Sequence, residues 1–593
     1  MLIPSWKRYR ARPDRSELVG LAAVLVAIAA GACSLTAGRE RSWGPHVPRT
    51  PIVLANLVIV NARIWTGTDD APEPGGPGEP TAVAISGDTI IAVGDDAGIE
   101  PLIGPETKVI DAGGRRVIPG MTDSHTHILG GGFQLARLNL RDVKNREAFV
   151  KAIADDARTK TRGQWVLGGR WSVESWPKVE QPNKSWIDPV TGNTPVFLSR
   201  MDGHQSLVNS AALKLAGIDA SGPPDPKGGE IERDPVTREP TGILKESAEQ
   251  LVSDLIPDPT PAEKDAALRR AMRHANSLGI TSVHDMSQPE DLAVFRRAEK
   301  RGELTVRITS FMYEEDWAKC VSKFPSYRLD SDRLRLVGLK GFMDGSLGSR
   351  TAYMREPYAD NTPDEPYPRG QLTAMADPPE KFADLVAMAD AKGLQLAVHA
   401  IGDEGNHLLL NAYEYALRRN GRRNANHRVE HAQHLLVSDI PRFAELGVVA
   451  SMQPLHKADD GRYAEIAIGR DRLAGSYAFR QLVDAGALVI FGSDWPVVSL
   501  NPFLGIDSAV NARTLSGQVW LPSHSLAVQE ALRAYTVLPP RAIHRDQSLG
   551  TIEPGKLADL VMLEADPLAV PATDLAGIKA AMTMVNGNVA FDR

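Results

Sequence analysis

The middle of the chain alternates between short apolar runs and longer stretches of helical character. The apolar runs lie at residues 194–198, 281–284, 336–340, 394–399, 448–452 and 488–494. Repeated units of this kind predict parallel strands covered by helices. Periodicity alone would also allow buried helix segments in place of some strands. The pattern favours an α/β fold, and we predict a TIM-like (β/α)8 barrel over residues 119–545.

Both ends of the chain show a different pattern, with short strands and tight turns. Residues 52–61 form one strand region and residues 82–93 a hairpin with a Gly-Asp turn. Near the other end, an apolar run at 560–563 is followed by a second hairpin at 582–590. We therefore predict a small composite β-sandwich domain formed by both termini. Its expected boundaries are 51–118 and 546–593.

Two stretches rich in proline and glycine, residues 221–242 and 356–370, interrupt the alternating middle. Stretches of this composition and length are typical of long loops that fold over an active site. We expect both to be loops that help to set specificity.

The N-terminal segment has the composition of an export signal. Several basic residues precede an apolar run over residues 18–30, which is short for a membrane span and suits a signal-peptide core. Ala30 and Ala32 fit a small-x-small cleavage site, and Cys33 follows directly, as in a bacterial lipoprotein. We expect residues 1–33 to be a signal, residues 34–50 to be a tether, and the protein to be periplasmic or held in the cell envelope.

Lipidation of Cys33 is a separate expectation from export. The leucine usually found three residues before a lipid-acceptor cysteine is replaced by Ala30. A cleaved signal, or an uncleaved anchor with an incidental cysteine, is therefore the alternative to a membrane tether through a lipid on Cys33.

Composition narrows the class of protein. The chain has 593 residues, which favours one large barrel with an accessory domain over a single core. Its net charge is -7 with both signs mixed along the chain, so it offers no basic face for nucleic acid. Two cysteines provide neither a disulfide framework nor a thiolate zinc cluster. The oligomeric state is left open by the sequence, and a homodimer would be compatible with it.

Polar residues of the metal-binding type follow directly after several apolar runs. They are His125, His127, His399, His431 and Asp494. Two imidazoles spaced as in His125 and His127 point the same way on an extended segment. In a TIM barrel, side chains at the carboxyl ends of the strands converge on one site, and such a set suits zinc or a similar divalent ion.

Each of these residues also has an ordinary structural explanation. A single His-x-His is common, His399 alone could be a core histidine, and Asp494 could cap a helix. Their joint placement after successive strands is what predicts a metal site.

Several motifs resemble the amidohydrolase superfamily, and within it the amidohydrolase family 3 branch of N-substituted formamide deformylase-like proteins. The matching stretches are residues 119–127, 202–213, 339–352, 398–403, 428–433, 491–497 and 550–561. The resemblance covers about residues 50 to 593 and is specific for the branch but not for the substrate. It implies a barrel hydrolase that uses one or two divalent metals, with zinc expected, on a small-molecule amide-type substrate.

The resemblance also assigns roles to single residues. His125, His127, His399, His431 and Asp494 fall on the superfamily's metal ligands. Lys340 falls where many relatives carry a lysine that, once carbamylated, bridges two metals. The alternative is a Lys340 paired with Asp344 and a single metal.

The implied reaction is attack of metal-activated water on a non-peptide C–N bond of an amide or N-formyl compound. Asp494 would be the proton acceptor, and His204 corresponds to a family position that faces the substrate, unless it is a loop histidine packed under the lid. Two alternatives remain open at this stage. One is a mononuclear deaminase of a ring C–N bond, and the other is a non-catalytic binding protein.

Overall fold

The computed structural model describes residues 53–593, apart from 172, 174–175, 179, 201–204, 227–228, 315, 328 and 362–366. The strands of the described residues are β1 (Leu57–Val60), β2 (Arg63–Ile64), β3 (Ala82–Ser86), β4 (Thr89–Gly94), β5 (Lys108–Asp111), β6 (Arg116–Pro119), β7 (Met121–Thr126), β8 (Leu138–Asn139), β9 (Val166–Trp171), β10 (Val196–Arg200), β11 (Gln205–Val208), β12 (Gly229–Arg233), β13 (Pro240–Glu246), β14 (Ile280–Ser287), β15 (Arg307–Tyr313), β16 (Leu334–Phe342), β17 (Gln395–Ala400), β18 (Arg428–His431), β19 (Val449–Met452), β20 (Leu488–Phe491), β21 (Leu560–Leu563), β22 (Ala580–Val585) and β23 (Asn588–Asp592).

The α-helices of the same residues are α1 (Asp96–Ile99), α2 (Ile128–Gln134), α3 (Arg146–Arg158), α4 (Lys184–Thr191), α5 (Ser210–Leu215), α6 (Gln250–Ser253), α7 (Pro261–Ser277), α8 (Asp291–Lys300), α9 (Trp317–Tyr327), α10 (Pro379–Ala391), α11 (Asp403–Asn420), α12 (Ile440–Leu446), α13 (Pro454–Asp460), α14 (Ala464–Ile468), α15 (Phe479–Asp484), α16 (Pro502–Asn511), α17 (Val528–Tyr535) and α18 (Leu538–Ala542). Short 3-10 helices lie at Glu100–Leu102, Ser247–Glu249, Val437–Asp439, Arg470–Gly475, Pro522–His524 and Ala572–Gly577.

Eight parallel strands form the barrel, in the order β7, β14, β15, β16, β17, β18, β19 and β20. Their residues are almost all buried, because helices cover the outer face and side chains fill the interior. Beyond β20, the Asp494 N–H donates to the His125 carbonyl (2.7 Å) and the His127 N–H to the Trp495 carbonyl (2.8 Å). These bonds link the last strand to the first, and the predicted barrel is confirmed.

The helices around the barrel bury one apolar face each. In α11, the buried side chains Leu409, Leu410, Tyr413 and Ala416 recur at helical spacing. Helix α7 begins at a capping box in which Thr260 and Glu263 each accept the other's backbone N–H. Amphipathic helices of this kind hold the strands in place and leave the strand ends free for chemistry.

The small β domain is composite, as predicted. One sheet has the order β4-β3-β1-β5, and the second has the order β2-β6-β21-β22-β23. In the second sheet, β21 runs antiparallel to β6, so that Leu560 pairs with Pro119. Residues from both ends of the described chain share one apolar core, which includes Ile59, Val117 and Met584.

One apolar run was interpreted wrongly from the sequence. Residues 194–198 lie largely in β10, which belongs not to the barrel but to a third sheet with the order β12-β13-β11-β10-β9-β8. This sheet lies in the connection between β7 and β14. A buried strand with a parallel neighbour, here β9, has the same apolar pattern in either sheet, so the pattern cannot assign it to one.

The first of the two expected loops also needs correction. Residues 221–242 contain β12 and the start of β13, which pair antiparallel. The described residues of 356–370 contain no named helix or strand.

No described helix combines the length and hydropathy needed to span a bilayer. The predicted signal, the tether and Cys33 lie outside the described residues.

A buried ion pair joins the barrel to the β domain. Arg307 at the start of β15 donates to Asp559 through Nε (2.7 Å) and Nη2 (2.9 Å), and the Asn586 N–H donates to the same carboxylate (2.9 Å). Both charged side chains are at most 5% exposed. Removing one partner would leave the other charge buried and unpaired.

We predict that Asp559→Ala lowers the free energy of unfolding by about 3–5 kcal/mol, the usual cost of breaking a buried pair. Denaturant titration of the variant and the wild type would measure the loss. Asp155→Ala is the control, because Asp155 pairs with Lys151 on an exposed helix surface and its removal should change stability little. Equal stability of the two variants would contradict the structural role of Asp559.

Candidate metal centre

The predicted ligands lie at one end of the barrel, where the strands finish. His125 is near the end of β7, His399 near the end of β17, and His431 is the last residue of β18. His127 and Asp494 follow β7 and β20. The parallel strands therefore deliver all five side chains to the same edge, as the sequence predicted.

Three of these residues form a tight group. One ligand atom each from His125, His431 and Asp494 lie within 4.8 Å of one another. The Asp494 Oδ1 is 3.2 Å from His127 Nε2 and 3.5 Å from His125 Nε2. The ring of His399 lies 4.5 Å from that of His431, centroid to centroid. The structure thus brings the four histidines and the aspartate together, and their binding of a metal stays a prediction.

The orientation of the rings fits a metal centre. His125 Nδ1 bonds to Glu430 Oε2 (2.6 Å), His431 Nδ1 to Gln453 Oε1 (2.7 Å) and His399 Nε2 to the Gly345 carbonyl (2.9 Å). Each acceptor fixes one ring nitrogen as the donor, so that the other nitrogen keeps its lone pair for a cation. Metal-binding histidines are held by such acceptors in most metalloproteins.

The carboxylate that holds His125 is itself held by a buried arginine. Arg428 donates to Glu430 through Nε (2.7 Å) and Nη2 (3.0 Å), and both side chains are fully buried. Burial would raise the pKa of Glu430, but Arg428 and His125 keep that pKa below its usual value. The roles of Glu430, Arg428 and Gln453 were not predicted from the sequence. The available signal was an Arg-x-Glu pair inside a strand that should be apolar.

Burial keeps the histidines in the form that binds metals. It lowers the pKa of His125 to about 4 and that of His399 to about 3, with the nearby Lys340 acting in the same direction. Both rings are therefore neutral at pH 7, and a neutral imidazole can donate its lone pair to a cation. Burial also lowers the pKa of Lys340, to about 8.

Lys340 lies on β16 and is 2% exposed. Its Nζ is 4.9 Å from the centre of the Phe342 ring, and this side-chain nitrogen makes no hydrogen bond or ion pair with any described residue. The carboxylate of Asp344 accepts instead the N–H groups of Tyr353 (2.8 Å), Ile401 (3.0 Å) and Gly402 (2.8 Å). The pairing of Lys340 with Asp344, considered as an alternative above, is therefore not formed.

Two of the predicted ligands have strained backbones. His431 has φ 77° and Asp494 has φ 57°. Both values lie in the left-handed region of backbone conformation, which residues other than glycine rarely adopt. Gly492 allows the close approach of the strands here, since a Cβ on it would lie 2.5 Å from His125 N. Strain of this kind is often concentrated where a functional geometry must be held.

The second predicted catalytic residue, His204, lies outside the described residues, so its position relative to the site stays a prediction. Asp494, the first, is part of the tight group.

Comparisons with known proteins agree with this geometry. A model of the amidohydrolase family matches residues 108–591. Protein LONG AFTER FAR-RED 3 of Arabidopsis thaliana is 35% identical over 565 residues, which are 93% of this chain and 94% of that protein. N-substituted formamide deformylase of Arthrobacter pascens is 28% identical over 554 residues, 91% of this chain and 99% of that enzyme.

A solved structure supports the same assignment. The crystal structure of an uncharacterized metal-dependent hydrolase from Pyrococcus furiosus matches with a TM-score of 0.69 and 27% identity, over 86% of this chain and 99% of that one. With its eight-stranded barrel, its cluster of histidines and aspartate, and a family match over most of its length, the chain belongs to the amidohydrolase family of metal-dependent hydrolases.

Proposed function

We propose that this protein hydrolyses a non-peptide C–N bond in an amide or N-formyl compound. The observation that carries the proposal is the group of histidines around Asp494, of which His125, His399 and His431 each have one ring nitrogen held by a protein acceptor. The similarity to an N-substituted formamide deformylase supports this substrate class.

His125, His127, His431 and Asp494, with His399 beside them, are the residues that would hold the metal. Imidazole and carboxylate donors of this kind suit zinc. A divalent ion held there would polarise a carbonyl oxygen and lower the pKa of water toward about 7.

In this proposal Asp494 is the proton carrier. Its carboxylate is buried at the centre of the group, with Oδ1 near both His125 and His127. As water oxygen adds to the carbonyl carbon, Asp494 accepts the proton that the water loses. It then delivers this proton to the nitrogen as the C–N bond breaks, which yields a carboxylic acid and an amine.

We propose further that Lys340 becomes carbamylated. A buried ammonium without an acceptor is costly, and it would repel a cation held by the neighbouring histidines. In the reaction with carbon dioxide, the neutral amine forms a C–N bond and releases a proton. The product is an anionic carbamate with two oxygens, which removes the unpaired positive charge and supplies ligand atoms for a second ion.

The function can be tested with purified protein, stripped of metal by chelation and reloaded with zinc. N-formyl and N-acyl amines would be compared with cytosine and adenine, and released carboxylate and ammonia measured separately. We expect metal-dependent release of formate or a short carboxylate. Release of ammonia from the ring compounds alone would support the deaminase, and no turnover of either class would contradict the proposal.

We predict that Asp494→Asn lowers kcat by roughly 10²-fold or more, the scale of general acid–base catalysis. Because the amide oxygen can still coordinate, metal content measured by elemental analysis should fall much less. Asp384→Asn is the control, since Asp384 is an exposed residue that pairs with Arg419 on the barrel surface. Near wild-type kcat in Asp494→Asn would rule out the proton-carrier role.

For Lys340→Ala we expect a fall from nearly two metal ions per chain to one or fewer, with loss of activity that added acetate or formate partly restores. Small carboxylates can supply the missing oxygens. Lys457→Ala serves as a matched control, because Lys457 is also buried but donates to the Leu521 carbonyl (3.2 Å). If Lys340→Ala keeps its metals and its activity, the lysine is structural, and a mononuclear deaminase gains support.

A further inference from the structure

We infer that His456 contacts the substrate, with its Nε2–H donating a hydrogen bond to the acyl oxygen. This inference rests on the proposed function, because it assumes that an acyl compound binds beside the metal ligands. It adds a residue that the sequence analysis did not consider.

His456 lies close to the predicted metal ligands. Helix α13 begins at Pro454, shortly after β19 ends at Met452, so His456 lies at the barrel end that carries the metal ligands. Its ring is nearly parallel to that of His431, with an angle of 10° between the planes and 6.0 Å between the centroids. A group bound at His431 is therefore within reach of His456.

One ring nitrogen of His456 has no hydrogen-bond partner among the described residues. His456 Nε2 is buried and has no hydrogen bond within the described part of the chain. A buried polar atom left unpaired destabilises the folded protein, and native proteins contain few of them. Such a cost is reasonable at a binding site, where a ligand supplies the missing partner.

The neighbouring polar groups already have partners. Gln453 Oε1 accepts from His431 (2.7 Å), and Asp460 accepts from Tyr477 (2.6 Å), Tyr463 and Gln433. Neither of these two side chains makes a hydrogen bond to the His456 ring. Its free nitrogen therefore does not belong to this hydrogen-bond network.

The helix that carries His456 is well supported. The Leu515 N–H donates to the Ala458 carbonyl (2.8 Å), which ties α13 to the loop before Trp520. That loop packs closely, because a Cβ on Gly461 would lie 2.8 Å from the Trp520 ring. A side chain on such a support holds its direction, as a contact to a reacting group requires.

The chemistry of the reaction indicates which substrate atom His456 would meet. When water oxygen bonds to the acyl carbon, an electron pair moves from the C=O bond onto the acyl oxygen. A fixed N–H donor stabilises this negative charge without transferring its proton. Asp494 serves the nitrogen, and none of the described residues considered above donates to the acyl oxygen.

The experiment compares His456→Leu, which removes the donor, with His456→Gln, whose amide nitrogen can take the place of Nε2. In zinc-loaded protein we expect kcat/KM for the best hydrolysed amide to fall about 10²–10³-fold in the leucine variant, as for loss of one oxyanion donor. The kcat/KM of the glutamine variant should be at least about tenfold higher than that of the leucine variant. Metal content and Tm should match the wild type in both.

Acetate provides a second measurement that needs no turnover. Its carboxylate carries an oxygen equivalent to the acyl oxygen, and calorimetry on zinc-loaded protein would give its Kd. We expect weaker binding to His456→Leu than to the wild type and to His407→Gln, the control, whose ring bonds to Asp439 on an outer helix (2.9 Å). If no amide is hydrolysed by the wild type, the proposed function fails while acetate still tests His456.

Three outcomes would overturn the inference. One is a leucine variant with unchanged kcat/KM and acetate Kd. Another is loss of zinc from that variant, which would make His456 a metal ligand. If the leucine variant does not fold, His456→Asn decides, because its shorter amide cannot reach the position of Nε2, and wild-type behaviour of that variant would contradict the proposed contact.

Discussion

The centre of this protein depends on a carboxylate that no solvent reaches. Glu430 lies inside the barrel, where it accepts from Arg428 on one side and orients His125 on the other. Burying two charges and an imidazole costs free energy, and the hydrogen bonds that these three groups make to one another offset that cost. The direction of the free nitrogen of His125 follows from this arrangement, and with it the place where a cation can bind.

The rest of the fold holds these side chains in their positions. β18 supplies Arg428, Glu430 and His431 from a single four-residue strand, and β7 brings His125 to the same end of the barrel. The contact between the ends of β7 and β20 adds Asp494. The composite β domain pairs β21 with β6, whose last residue is separated from β7 by a single glycine, so the terminal domain fixes the entry of the first barrel strand.

The sequence predicted much of this. The apolar runs at 281–284, 336–340, 394–399, 448–452 and 488–494 overlap five of the barrel strands, and the polar residues after them converge as expected. The sequence pattern could not distinguish β10 from the barrel strands, because the sheet to which a strand belongs depends on pairing partners that are far apart in the sequence. Glu430 and His456 were missed for a related reason. Their roles follow from neighbours in space, and only the unusual charges within β18 gave a local sign of the first.

The inserted sheet has a consequence for how this architecture can diversify. It begins at β8, after helix α2, and ends at β13, before helix α7 and β14, and it has apolar cores of its own around Phe149 and Val208. Because the entropic cost of a long connection grows only slowly with its length, such a module places little burden on the barrel's stability. Mutations within its cores alter a unit that contributes none of the predicted metal ligands, but whose sequence includes the predicted substrate-facing residue His204, between β10 and β11. The predicted metal ligands and the predicted substrate contact at His204 therefore belong to separate units, which can change at different rates.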